Sequence, residues 1–452
     1  MLVRFVVENI LSFGERREFS LLANNRLKTL DHHKYDFGGF ELLKLSSIYG
    51  ANGAGKSNLI KAISLLREMV VHNSSASLIE DARFKFSDPH NSRQVLAIEF
   101  IQDEQPFLFA VSMKNSIVET EELYLSGMGE EDQLIYERST SPEGNTKITF
   151  SKELEENERI QILKSVLVED FVEPDKLILQ FLSRRENEAF TEIKIVYKWF
   201  SEILTIIRPH TELNDLTIQI DKDKDLRRYA EDVIVSLHIG VTTLKVETRD
   251  AKEYLGEENE TKIKELMKKL EMSDESVLGI QRPDGGQIVL EESDGKYRVK
   301  FLQLEHKGKY NKTASFETIE ESDGTQRLLD FMPMFNFLSR QKKVYVVDEI
   351  DRSIHPLLIK ELLRKFSTDT NSKGQLIFTT HESNLLDQEI FRQDEIWFAE
   401  KNNDGETDLY SLNDFKEHKT IDVQKGYLNG RYGSIPFLSD LKNLQWDKHD
   451  TE

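Results

Sequence analysis

The chain of 452 residues contains no cysteine. Disulfides and thiolate metal sites are excluded, and a reducing compartment, the cytoplasm, is the expected location. No stretch reaches the roughly 18 consecutive apolar residues that a membrane helix needs, so no membrane contact is expected. The opening, MLVRFVVENILSF, is broken by Arg4 and Glu8 and lacks a small-residue cleavage site, so it is not read as a secretory signal. Positive charge is also short, with 60 Lys and Arg against 81 Asp and Glu, a net charge of -21. That balance argues against coating nucleic acid by bulk electrostatics, and it suits a partner with a basic face. Internal repeats and low-complexity tracts are missing, which excludes solenoids. What is present is 38% hydrophobic residues, enough for packed cores in a chain long enough for two or three lobes.

The most informative stretch is SSIYGANGAGKSNLIKAISLL, from Ser46 to Leu66. A short apolar run, LSSIY, reads as a buried strand. Leu59, Ile60, Ala62, Ile63, Leu66 and Met69 then recur at helical spacing. Between them, Gly50, Gly55, Lys56 and Ser57 satisfy the pattern G-x-x-x-x-G-K-[ST] in the strand–loop–helix context that pattern requires. Glycines let backbone N–H groups close around phosphate oxygens, and the helix N-terminus adds a positive end. Gly50, Asn52, Gly53, Gly55, Lys56, Ser57 and Asn58 are therefore the candidate nucleotide contacts. Lys56 is expected to neutralise the β- and γ-phosphates of ATP, and Ser57 to offer a hydroxyl to Mg²⁺.

A second strand, VYVV from Val344, ends in Asp348 and Glu349. Carboxylates at the C-terminal edge of a core strand sit where α/β folds bind ligands. Asp348 is expected to serve Mg²⁺, and Glu349 to orient or deprotonate the attacking water. A third strand, QLIFTTH, ends at His381, placed to donate to a γ-phosphate. Around these pieces, five alternating segments between Val95 and Ser151 predict an antiparallel sheet. Residues 153–275 carry dense charge at helical spacing and predict a mostly helical insertion, with strands returning at GQIVLEE and YRVKFLQLEH. The run GEENETK (256–262) reads as a solvated loop, and NLQWDKHDTE at the end as a loose tail.

Together these motifs resemble an ABC-class ATPase head of the SMC and RecF-like type. GANGAGKS resembles Walker A, VYVVDEID resembles Walker B followed by the D-loop Asp351, and FTTH resembles the H-loop. ESDGTQRLLDF resembles the signature segment, with Ser322 and Gly324 at the family's Ser and Gly positions and Asp323 where the middle Gly stands. The resemblance implies an α/β P-loop head with a flanking antiparallel sheet and a helical insertion. Residues 1–152 and 286–452 would be its two lobes and 153–285 the insertion. It also implies ATP and Mg²⁺ at a composite site completed by a second copy, hence a homodimer or higher homo-oligomer. The segments ENILSFGE, FRQDEIWFAEK from Phe391 and LNGRYGSIP from Leu428 are similar to prokaryotic AAA-labelled ATPases of the RloA and abortive-infection (AbiL-like) kind. That group implies a sensor or scaffold in anti-phage defence, acting on a separately encoded effector, possibly a nuclease. A RecF-like or SMC-like DNA-binding ATPase of repair or recombination is the alternative.

Overall fold

A run of β-branched and aromatic side chains builds the first strand, β1 (Leu2–Glu8), which is mostly buried, and β2 (Arg17–Ser20) follows it, in the computed structural model. The structure describes residues 1–88, 93–209, 216–256, 265–268, 270, 277–282, 286–293, 295–415 and 422–434. A small hairpin, β3 (Lys34–Asp36) and β4 (Glu41–Leu43), precedes β5 (Leu45–Tyr49), whose five residues are all buried. Five strands then run β6 (Gln94–Gln102), β7 (Gln105–Lys114), β8 (Ile117–Leu125), β9 (Gln133–Thr140) and β10 (Thr146–Phe150). They form the expected antiparallel sheet, in the order β10-β9-β8-β7-β6-β1-β2.

The next strands are β11 (Leu204–Ile207), β12 (Val241–Asp250), β13 (Val277–Gln281), β14 (Gln287–Ser293), β15 (Lys296–Lys307) and β16 (Thr313–Glu317). The last are β17 (Val344–Val347), β18 (Gln375–Thr379), β19 (Ile396–Lys401) and β20 (Thr407–Ser411). A second sheet has the order β11-β17-β18-β5-β19-β20, and all its neighbours are parallel except β19 and β20. Strands buried along their whole length suit such a sheet, which explains the continuous apolar runs VYVV and QLIFT. The helix Lys56–His72 follows β5 and buries Leu59, Ile60, Ile63, Leu66 and Met69.

By internal contact the chain forms two units. The first comprises Met1–Arg208, Gln341–Ile350 and Leu363–Glu452, and the second comprises Pro209–Arg340 and Asp351–Leu362. The cuts fall elsewhere than at 152/153 and 285/286. In the first unit a single apolar cluster joins both sheets, with Trp199 stacked on Phe100 at 4.1 Å between ring centroids. In the second unit β15 pairs β12 along one edge and β14 and then β16 along the other.

The helical reading of 153–275 holds for the short helices between Lys152 and Ile203 and for the helices Leu216–Lys222, Lys224–Ser236 and Ala251–Leu255, and departs from what is observed at β11 and β12. β12, VTTLKVETRD, exposes Thr242, Lys245, Thr248, Arg249 and Asp250, so its charge density imitates that of a helix. Of KIKELMKKLEM only 265–268 and 270 are described, and they are helical. The loop reading of GEENETK, beyond Gly256, and the terminal NLQWDKHDTE lie outside the described residues. Among the described residues no helix is long and apolar enough to cross a membrane.

Candidate functional site

Parallel strands present their C-terminal ends at one sheet edge, and β17, β18 and β5 are immediate neighbours. The loop after β5, the His381 loop after β18 and the Asp348–Glu349 pair after β17 therefore converge. Residues more than three hundred positions apart meet because the register aligns Val347 with Phe378 and Thr379 with Ile48.

Local sequence shapes the loop. A side chain at Gly50 would collide with the carbonyl oxygen of Ala399, and one at Gly55 with the Thr407 hydroxyl. Gly55 also has φ of +108°, a left-handed value that favours glycine. Asn52 and Gly53 form the exposed lip of the loop. The helix Lys56–His72 has no capping side chain at Gly55 and no acidic residue in its first turn, which leaves its amide end suited to an anion.

Lys56 is buried and donates to the carbonyls of Gly50 at 2.7 Å and Ala51 at 3.1 Å; its Nζ lies 3.3 Å from His381 Nδ1. Ser57 Oγ donates to Asp348 Oδ1 at 2.9 Å, and Thr379 Oγ1 donates to the same oxygen at 2.6 Å. The Glu349 N–H donates to Thr379 Oγ1 at 2.8 Å. Glu349 itself is left-handed, with φ of +54°, and its Oε1 stands 3.9 Å from His381 Nε2. A left-handed glutamate is strained by about 1–2 kcal/mol, and such strain collects at functional sites. Asp348 is buried, whereas Glu349 and His381 are about one-third exposed, so these two sit at the mouth and Asp348 beneath them. Among the described residues no three His, Cys, Asp or Glu gather to hold a metal unaided. One carboxylate and one hydroxyl are what a protein contributes to Mg²⁺ when phosphates supply other ligands, so the donor set fits Mg²⁺-nucleotide.

Four further residues brace this loop and were not singled out from the sequence. Thr379 ties Asp348 to Glu349, as above. Ser12 accepts from Asn58 Nδ2 at 2.8 Å, and its hydroxyl lies 2.7 Å from that of Thr407. Thr407 also donates to the Ala54 carbonyl at 2.9 Å. Burial pushes the Tyr427 phenol up, while the Gly50 backbone bonded to it pulls it down. No spacing links Ser12, Thr379, Thr407 and Tyr427, so only the segments ENILSFGE, which holds Ser12, and FTTH, which holds Thr379, carried any hint of them. Gly55→Ala should destabilise the protein by about 1–3 kcal/mol and remove nucleotide binding, since the methyl meets Thr407 in a left-handed turn. A thermal scan with a fluorescent ATP analogue tests this; unchanged affinity would show that the loop tolerates a different path.

A family described as "AAA domain, putative AbiEii toxin, Type IV TA system" matches residues 45–387. The chain belongs to this family. Its match runs from β5 through the glycine loop, Asp348 and Glu349 to just past His381, while Ser12, Thr407 and Tyr427 lie outside it. No curated protein matches the sequence. Among solved structures, an Smc head bound to the C-winged helix domain of ScpA is 12% identical, covering 91% of this chain and 97% of that one, with a TM-score of 0.41. The SMC head domain from Thermotoga maritima is 13% identical over 91% and 98%, with a TM-score of 0.38. An Smc head with an extended coiled coil, bound to the C-terminal domain of ScpA derived from Pyrococcus furiosus, is 13% identical over 95% and 98%, again at 0.38.

The remaining candidates of this AAA protein, Ser322, Gly324 and Asp351, belong to the second unit. A helix, Asp323–Arg340, does begin at the signature-like segment. Ser322 Oγ accepts from the Thr325 N–H at 3.3 Å and lies 2.9 Å from its hydroxyl, as an N-cap does. A side chain at Gly324 would lie 2.7 Å from the Ser353 carbonyl oxygen, so this glycine is required by packing inside its own unit. The Asp351 carbonyl accepts from Ile354 N–H at 3.3 Å and opens a turn. Arg431 and Tyr432 lie in a turn, and Tyr432 is buried against Phe398, with ring centroids 5.5 Å apart.

Proposed function

We propose that this AAA protein binds ATP with Mg²⁺ and hydrolyses it. The observation that carries the reading is the 2.9 Å contact between Ser57 and Asp348. It sets two oxygen ligands for a hard cation side by side, one residue from Lys56, at the open amide end of a 17-residue helix. Ser57 and Asp348 would hold Mg²⁺, which would supply neutralisation of the charge on the phosphates. Lys56 would leave its two loop carbonyls for the phosphates. Glu349 would hold the attacking water and take its proton, and His381 would donate to the transferring group.

Ser322, Gly324 and Asp351 are proposed to act on nucleotide held by a second copy, making a homodimer or higher homo-oligomer whose interface ATP closes. The proposed setting is the cytoplasm and the role that of a sensor or scaffold in anti-phage defence of the RloA and AbiL-like kind, governing a separately encoded effector. The family's description, which pairs an AAA domain with a toxin of a type IV toxin–antitoxin system, supports that setting. Lys56→Ala should weaken binding of a fluorescent ATP analogue at least a hundredfold, about 2.7 kcal/mol. Expressed with its neighbouring genes in a phage-sensitive host, the wild type should lower plaque counts and Lys56→Ala should restore them. Equal counts for the two would sink the defence role while leaving the binding result to judge the ATPase.

A further inference from the structure

β15 and β16 form a hairpin in the second unit, closed by HKGKYNKTAS, residues 306–315. Its tip combines three features. First, residues 306–315 hold three lysines, Lys307, Lys309 and Lys312, and no acid, in a protein of net charge -21. All three are exposed, and among the described residues none is in an ion pair. Second, Tyr310 is 93% exposed, the most exposed large apolar side chain described, and no ring or cation packs against it. Third, Tyr310 has φ 59° and ψ 30°, Asn311 has φ 58°, and Lys312 N–H donates to Lys309 O at 3.2 Å.

Two successive left-handed residues closing a hairpin are the geometry of a type I′ turn, whose preferred pair is Asn-Gly. A tyrosine in the first of those positions is disfavoured by its Cβ and returns little to the fold, because its ring is almost wholly exposed. The side chain's use must therefore lie outside the chain.

We infer that this hairpin tip binds single-stranded nucleic acid, with a base stacked on Tyr310 and backbone phosphates on Lys307, Lys309 and Lys312. The ligand follows from the chemistry presented. The cations are all lysine, compact point charges that suit phosphates, and there is no arginine fork for carboxylates. A protruding ring offers a whole face, which a base in a duplex, stacked on both sides, cannot take. An unpaired base can, and such stacking is tolerant of sequence. The tip acts locally, so the acidic balance of the whole chain does not oppose it beyond a Debye length, about 10 Å at 0.1 M salt. The inference stands independently of the ATPase reading.

The test is fluorescence anisotropy of a labelled oligothymidine strand with the full chain at low salt. Binding should weaken steeply as salt rises. Tyr310→Asn should weaken it about tenfold, and Tyr310→Phe should retain it. Asparagine fits the left-handed position better than tyrosine, so the Tyr310→Asn protein should melt no lower than the wild type, and lost binding cannot then be lost folding. Lys309→Gln should reduce the salt slope by about one. No binding at low salt overturns the proposal. So does binding that Tyr310→Asn leaves unchanged, a preference for the same sequence as a duplex, or capture of anionic phosphatidylserine vesicles without the oligonucleotide.

Discussion

Glu349→Gln should keep ATP binding and lower steady-state hydrolysis about 10²- to 10⁴-fold, the range that removal of a positioned general base produces. The carboxyl stands at the mouth of the site, one residue beyond the Asp348 that Ser57 contacts, and its backbone is held by Thr379. The amide cannot take a proton from water, yet it preserves size and the left-handed backbone. Affinity should change little, because none of Lys56, Ser57 or Asp348 depends on the Glu349 carboxylate for its contacts. If a second copy completes the site, the same variant should accumulate the ATP-bound assembly. Light scattering with ATP and Mg²⁺ should show a rise in mass, and adding Ser322→Arg should abolish it. Hydrolysis within threefold of wild type, about 0.7 kcal/mol, would remove Glu349 from the mechanism. An unchanged monomer mass would remove the pairing and leave the ATPase intact.

Glu121→Ala should destabilise the first unit by about 3–5 kcal/mol, through an uncompensated buried guanidinium. Glu121 and Arg138 face each other across β8 and β9, both wholly buried, 3.6 Å apart. Glu121 accepts from the Tyr136 hydroxyl at 2.7 Å and from the N–H groups of Ile178 and Leu179 at 2.8 and 3.0 Å. Arg138 donates to the carbonyls of Lys176 and Glu173. The pair thereby clamps the 173–179 segment onto the antiparallel sheet. Burial pushes the Glu121 carboxyl up, against Arg138 and its hydrogen-bond donors, and the same burial pulls the Arg138 guanidinium down. Neither charge is comfortable alone. Removing one leaves the other without its partner, whereas Glu121→Gln keeps an acceptor and should cost only about 1–3 kcal/mol. Urea unfolding followed by tryptophan fluorescence, with the buried Trp199 as reporter, measures both. A loss below about 1 kcal/mol for Glu121→Ala would show that water reaches Arg138.

The sequence by itself determined the elements whose causes are local. β5, the glycine loop and the following helix were legible because a change from a buried run to helical periodicity, with glycines between, is written in the consecutive residues Ser46 to Leu66. The strands before Asp348 and His381, and the helix at Asp323, were legible for the same reason. Tertiary structure alone decided what depends on strand order. Thr379, Ser12 and Thr407 are ordinary hydroxyl residues in sequence. They become part of the site because β18 lies between β17 and β5, and because the Thr407 hydroxyl occupies the space a side chain at Gly55 would need. β12 fell within the span read as mostly helical because charge on a solvated strand and charge on a solvated helix look alike until pairing with β15 chooses between them. Tyr310 was one of 13 tyrosines until its exposure and left-handed backbone set it apart. Local steric and hydrophobic preferences act over a few residues and can be read from them. Burial and juxtaposition are properties of the packed chain, and no short window contains them.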